Sequence, residues 1–141
     1  VIENVPGSPL VDPVMLCGSM FRLATEFPPH GKVGLQRHRL FESSVPLTAP
    51  GPCDHELPAL RVFGHGCPGN SDLKGPGYAQ ASRDVMGIDW MTRDQLDEAI
   101  PPAYSEHVGR QLRLALAGRP RRFRRTVAGT RNTYHPGQLT Q

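Results

Sequence analysis

Aromatic residues fill only 6% of the 141 positions, cysteine occurs three times, and no apolar run approaches the roughly 18 residues that a membrane span requires. So few large side chains limit the core to one modest domain, or to part of a larger one. An odd cysteine count without a basic-then-apolar leader argues against a disulfide scaffold and against secretion. The cytoplasm is the expected compartment, and no membrane partner is expected. What is abundant is punctuation: 15 Gly and 15 Pro predict long, turn-rich connections. The net charge of +3 and a sequence pI near 9.0 permit a polyanionic partner without demanding one.

Val1-Ile2-Glu3-Asn4-Val5-Pro6-Gly7 reads as the end of a buried strand carrying a charged side chain into a Pro-Gly turn. Open α/β sheets place their ligands at such strand ends. A domain seldom begins there, so further sequence upstream is expected. Asp12-Pro13 is a helix-start signal, which predicts one or two helical turns over Val14-Met15-Leu16-Cys17. Arg39-Leu40-Phe41 reads as a strand, and so does Leu60-Arg61-Val62-Phe63 within a Pro-, Gly- and Ser-rich stretch from Glu42 to Ser82. Thr92-Arg93-Asp94-Gln95 is a capping box opening a short helix that buries Leu96, Ala99 and Ile100 before Pro101-Pro102. A second helix carries Tyr104, Val108, Leu112 and Leu116 at a spacing of four. Beyond Gly118 the chain turns basic (Arg119, Arg121, Arg122, Arg124, Arg125) and reads as a flexible tail that attracts phosphates or simply solubilises.

Four features stand in a suggestive order: Glu3-Asn4-Val5, Gln36-Arg37-His38-Arg39-Leu40-Phe41, a variable loop-rich stretch, and Ala99-Ile100-Pro101-Pro102 leading into a helix. In that order they resemble the C-terminal half of the DNA (cytosine-5) methyltransferases, in the short form carried by actinobacterial phages. The resemblance spans residues 1–117, and it is the order and spacing of the motifs that carry it. It implies an α/β fold: the C-terminal part of a Rossmann-like S-adenosylmethionine-dependent methyltransferase with a short target-recognition insertion. Residues 1–41 would belong to the catalytic core, 42–82 to the insertion, 83–117 to the returning core and 118–141 to the tail. Met86-Gly87-Ile88-Asp89-Trp90-Met91 resembles the segment that closes the recognition region.

The same resemblance implies the roles. Carbon 5 of cytosine is too weak a nucleophile for a sulfonium methyl group until a thiolate adds to carbon 6. Glu3 would stabilise charge at ring nitrogen 3, and Arg39, with Arg37 second, would assist at the carbonyl oxygen. Asn4 and Gln36 would help bind substrate, Ala99 and Ile100 would pack on S-adenosylmethionine, and double-stranded DNA would be the partner, its target base flipped out. The family's Gly-rich cofactor loop and Pro-Cys nucleophile precede the Glu-Asn-Val motif. Cys17, in an apolar setting, reads as buried and inert, and Cys53 and Cys67 fall in the variable stretch. None of the three replaces the nucleophile, so methyl transfer is expected only with an N-terminal half, covalent or separate. A split subunit, a fragment and a remnant all fit this reading.

His65, Asn70, Ser71 and Lys74 supply donors for base reading in the Gly-rich loop. In the same stretch Cys53-x-His55 and His65-x-Cys67 form an alternative zinc quartet, although their single-residue spacings are tighter than a usual finger. No metal is expected under the methyltransferase reading. The rival reading is a small non-catalytic DNA-binding protein with a zinc-stapled loop.

Overall fold

The computed structural model describes residues 1–63, 73 and 75–118. Within them the chain is mixed α/β, with two small sheets, each backed by helix. The first sheet joins β1 (Ile2–Asn4), β2 (Val14–Leu16) and β5 (Arg39–Glu42) in the order β1-β5-β2, both pairs antiparallel. The second joins β3 (Ala24–Glu26), β4 (Lys32–Leu35) and β6 (Ala59–Leu60), with β3–β4 antiparallel and β4–β6 parallel. Three helices follow: α1 (Tyr78–Met86), α2 (Arg93–Glu98) and α3 (Pro102–Ala117).

Register explains which strand residues face inward. Glu3 and Val14 both lie opposite Phe41, so all three share a face with Arg39 and Leu16. That face packs on α3, where Tyr104 and Val108 complete a core with Leu16 and Phe41. The expected apolar stripe of α3 starts as read, but Leu112 only flanks the core and Leu116 is 62% exposed. The second sheet makes the larger core, in which Val33, Leu35, Leu60 and Val62 meet Ala81, Val85 and Met86 of α1 and Leu96 of α2.

Three local expectations are corrected. The strand at Ile2–Asn4 forms, but it is not buried: it is an edge strand paired, among the described residues, only with β5, and Ile2 is 53% exposed. Val14–Leu16 is a strand and not a helical turn. Asp12 takes φ 47, outside the helical region, and the Val11 N–H donates to the Glu42 carboxylate at 2.8 Å, which fastens the segment along β5. The loop-rich stretch ends earlier than Ser82, because α1 begins at Tyr78, and its only strand among the described residues is the two-residue β6.

The capping box is present as read. Gln95 N–H donates to Thr92 Oγ1 at 3.4 Å, and Thr92 N–H donates to Gln95 Oε1 at 2.9 Å. Thr92→Ala is expected to cost about 1 kcal/mol, read as a lower urea midpoint with an unchanged slope.

Candidate functional site

The ends of β1 and β5 bring Glu3 and Arg39 together. They are diagonal neighbours on one sheet face, and Arg39 Nε stands 3.0 Å from Glu3 Oε1. The Arg39 side chain is 13% exposed and that of Glu3 31%, so the pair lies at the rim of the sheet. Oε1 itself is buried and receives no aligned hydrogen bond, so the contact is an ion pair that leaves the carboxylate's acceptor capacity unfilled. Asn4 does not join them. Its side chain accepts from the following Val5 N–H at 2.9 Å, and it faces the opposite side of the sheet with Leu40.

Arg37 is placed differently from the sequence expectation of a second cytosine contact. It precedes β5 and is fully buried. Its guanidinium donates to the Val62 carbonyl and, at 2.8 Å, to the Asp97 carbonyl, while its own carbonyl accepts from the Tyr104 hydroxyl at 2.6 Å. Burial first, and the neighbouring Arg39 second, pull its pKa down to about 10. Burial also pushes the Tyr104 hydroxyl well above the usual phenol range. Arg37 therefore links the two cores. Gln36 donates to the Leu57 carbonyl at 3.2 Å and lines a pocket with Ser19, Arg22, Lys32, Asp54 and Glu56.

A second constellation forms beside Arg39. Cys17 immediately follows β2, His38 immediately precedes β5, and Cys53 and His55 come from the loop before β6. Their four ligand atoms all lie within 4.8 Å of one another. Cys17 Sγ is 3.3 Å from His55 Nε2, His38 Nε2 is 3.3 Å from Cys53 Sγ, and Cys53 Sγ is 2.9 Å from His55 Nε2. Burial, with His55 beside it, holds the His38 imidazole below the usual histidine range, and burial raises the Cys53 thiol. Cys17 is buried as expected, but its thiol faces an imidazole and the Ser19 hydroxyl instead of apolar groups.

Sequence reading missed Cys17 and His38 as members of this group, since neither sits at a ligand-like spacing from Cys53-x-His55. His65, Cys67, Asn70, Ser71, Lys74 and the Arg119–Arg125 cluster lie outside the described residues. Ala99 packs against the larger core and Ile100 against the smaller one, both half-buried. No described helix is long and apolar enough to cross a membrane. Among known proteins, no family model, no curated protein and no solved structure matches the chain.

Proposed function

We propose that this chain is the C-terminal, base-contacting part of a DNA (cytosine-5) methyltransferase with a Rossmann-like core. The observation that carries the reading is the Glu3–Arg39 pair at 3.0 Å, formed by residues from the two motifs on which the family resemblance rests. A carboxyl group and a guanidinium held side by side match the two acceptors on one edge of cytosine, ring nitrogen 3 and the adjacent carbonyl oxygen. In this reading Glu3 holds a proton at nitrogen 3 and Arg39 donates to the oxygen, so both act on charge that builds as the ring is activated. The ion pair fixes the orientation of each before a base arrives.

S-adenosylmethionine, when bound, supplies the methyl group. Ala99 and Ile100 each pack into protein core, and they do not by themselves form a cradle for it among the described residues. In this reading the cofactor loop and the nucleophile come from an N-terminal half.

The test is methyl transfer to plasmid DNA in cells that co-express the chain with an N-terminal half of the family, scored by bisulfite sequencing. Transfer is expected with the wild-type chain, and Glu3→Gln is expected to lower it by about 100-fold or more. Arg39→Ala is expected to weaken trapping of the target base more than general DNA binding. Full transfer with Glu3→Gln would remove Glu3 from the mechanism, and equal losses for Arg39→Ala would make it a phosphate contact.

One observation favours a second reading, a non-catalytic DNA-binding module stapled by metal: the presence of Cys53 and His55 in a four-ligand group. That module would bind DNA equally well with and without S-adenosylmethionine, and Glu3→Gln would leave its binding unchanged.

A further inference from the structure

We propose that Cys17, His38, Cys53 and His55 bind one zinc ion in a closed, structural site that clamps the loop before β6 to the end of β2 and the start of β5. The proposal is independent of the methyltransferase reading, since it rests on the ligand set alone.

The donor chemistry is that of structural zinc: two thiolates and two imidazoles, with no carboxylate and no position left for substrate. A tetrahedral ion with Zn–S near 2.3 Å and Zn–N near 2.0 Å places its ligand atoms roughly 3.3–3.8 Å apart. The three observed S···N separations of 2.9, 3.3 and 3.3 Å are shorter than the about 3.5 Å of such an edge, and the remaining ligand atoms lie within 4.8 Å of one another, so the side chains need to shift by less than about 1 Å to surround an ion. Convergence by composition alone is a poor explanation. The group takes two of the chain's three cysteines and two of its six histidines, drawn from three segments far apart in sequence. Thiols are weak hydrogen-bond partners, so mutual bonding among these four groups is a weak reason to gather them.

The surroundings are those of ligands held in place. The Ser19 hydroxyl donates to Cys17 Sγ at 3.4 Å and lies 3.6 Å from Cys53 Sγ, while it accepts from the Asp54 N–H at 3.1 Å. One hydroxyl thus orients the Cys17 sulfur and anchors the loop between the last two ligands, as outer-shell partners of metal sites do. The loop from 43 to 58 has no regular secondary structure, so cross-linking it is the direct way to order it. His38 stands between the buried Arg37 and Arg39, whose guanidinium donates back to the His38 carbonyl at 3.3 Å. Binding at His38 therefore fixes the turn from which Arg39 reaches Glu3.

The experiment is metal loading of the full chain, purified without a histidine tag under reducing conditions. Zinc content is read by mass spectrometry of the metal, and ligand identity by cobalt substitution. The expected result is one zinc per chain and a tetrahedral cobalt spectrum with a thiolate-to-cobalt charge-transfer band. Cys17→Ser and His38→Ala are expected to weaken zinc binding more than about 100-fold, and Ser19→Ala by about 10-fold. His65→Ala and Cys67→Ser are expected to keep the full equivalent. Because the ligand deletions can also unfold the chain, His38→Cys and His55→Cys provide the second reading. Each should retain one metal, with a stronger charge-transfer band from a third thiolate. Chelation of the wild type should lower Tm by about 10 °C or more and speed proteolysis within residues 43–58.

Four results would overturn the site: far less than one equivalent of zinc after loading; full retention in both Cys17→Ser and His38→Ala; an unchanged cobalt spectrum in the His→Cys variants; or a Cys17–Cys53 disulfide in place of metal. Loss of zinc in His65→Ala and Cys67→Ser with retention in Cys17→Ser would move the ligand set to the loop quartet. None of these outcomes bears on Glu3, whose test is methyl transfer.

Discussion

Arg37→Ala is expected to destabilise the chain by about 4 kcal/mol, a large fraction of what holds a domain of this size together. The guanidinium is fully buried and, among the described residues, is the only side chain joined by hydrogen bonds to both Val62, in the larger core, and Asp97, at the end of α2. Its removal strands two buried carbonyls, each costing about 1–3 kcal/mol, and leaves a cavity where the guanidinium was. Arg37→Lys should recover little, because one ammonium on a flexible stem lacks the planar fork that spans the two carbonyls. Chemical unfolding followed by circular dichroism measures this directly. A loss below about 1 kcal/mol for Arg37→Ala would mean that the guanidinium does not make these bonds in solution. The result also separates the two arginines of the motif, since Arg39 sits at the sheet rim, where a substitution mainly removes an ion pair.

Gly18→Ala is expected to cost about 3 kcal/mol, because a Cβ there has nowhere to go. It would lie 2.3 Å from the Leu35 carbonyl oxygen and 2.7 Å from Leu35 Cβ. Neither neighbour can retreat. Leu35 is fully buried in the larger core, its N–H donates to the Leu23 carbonyl at 2.8 Å, and the Leu23 N–H donates to the Gly18 carbonyl at 3.1 Å. The close approach of the Gly18–Phe21 3-10 turn to β4 is therefore fixed from both sides. Thermal unfolding should show a lower Tm for Gly18→Ala, and Gly109→Ala, on the open face of α3 with nothing near its Cβ, should hold or raise it. Equal behaviour of the two variants would contradict the packing.

What the sequence disclosed was local, and what it hid was set by distant partners. The capping box at Thr92 and the strand at Arg39-Leu40-Phe41 depend on a few adjacent residues, and both are where they were read. The segment at Val14 carries an equally good local signal for a helix, but pairing with β5 overrides it. Arg37 and Arg39 are two residues apart and look equivalent in the motif. They differ because β5 begins only at Arg39, so the chain at Arg37 is free to turn its side chain into the core. The Glu3–Arg39 pair was legible as two motif residues, but their contact depends on an antiparallel register that no spacing encodes. Cys17 and His38 were invisible for the same reason. Metal ligands announce themselves when they share a hairpin, and these two reach the Cys53 loop only through the folded sheet.

The order β1-β5-β2 has a kinetic consequence. β5 is the middle strand, and both of its neighbours are made before it. As the chain leaves the ribosome, β3 and β4 can close at once as a hairpin of nearby residues, while β1 and β2 wait without their partner until residue 42 has emerged. The first sheet then assembles around a single late arrival, and it finds its full cover only when Tyr104 and Val108 follow. A nascent chain paused before β5 would present two unpaired strands and a finished hairpin, which makes residues 39–42 the step on which folding of this half depends.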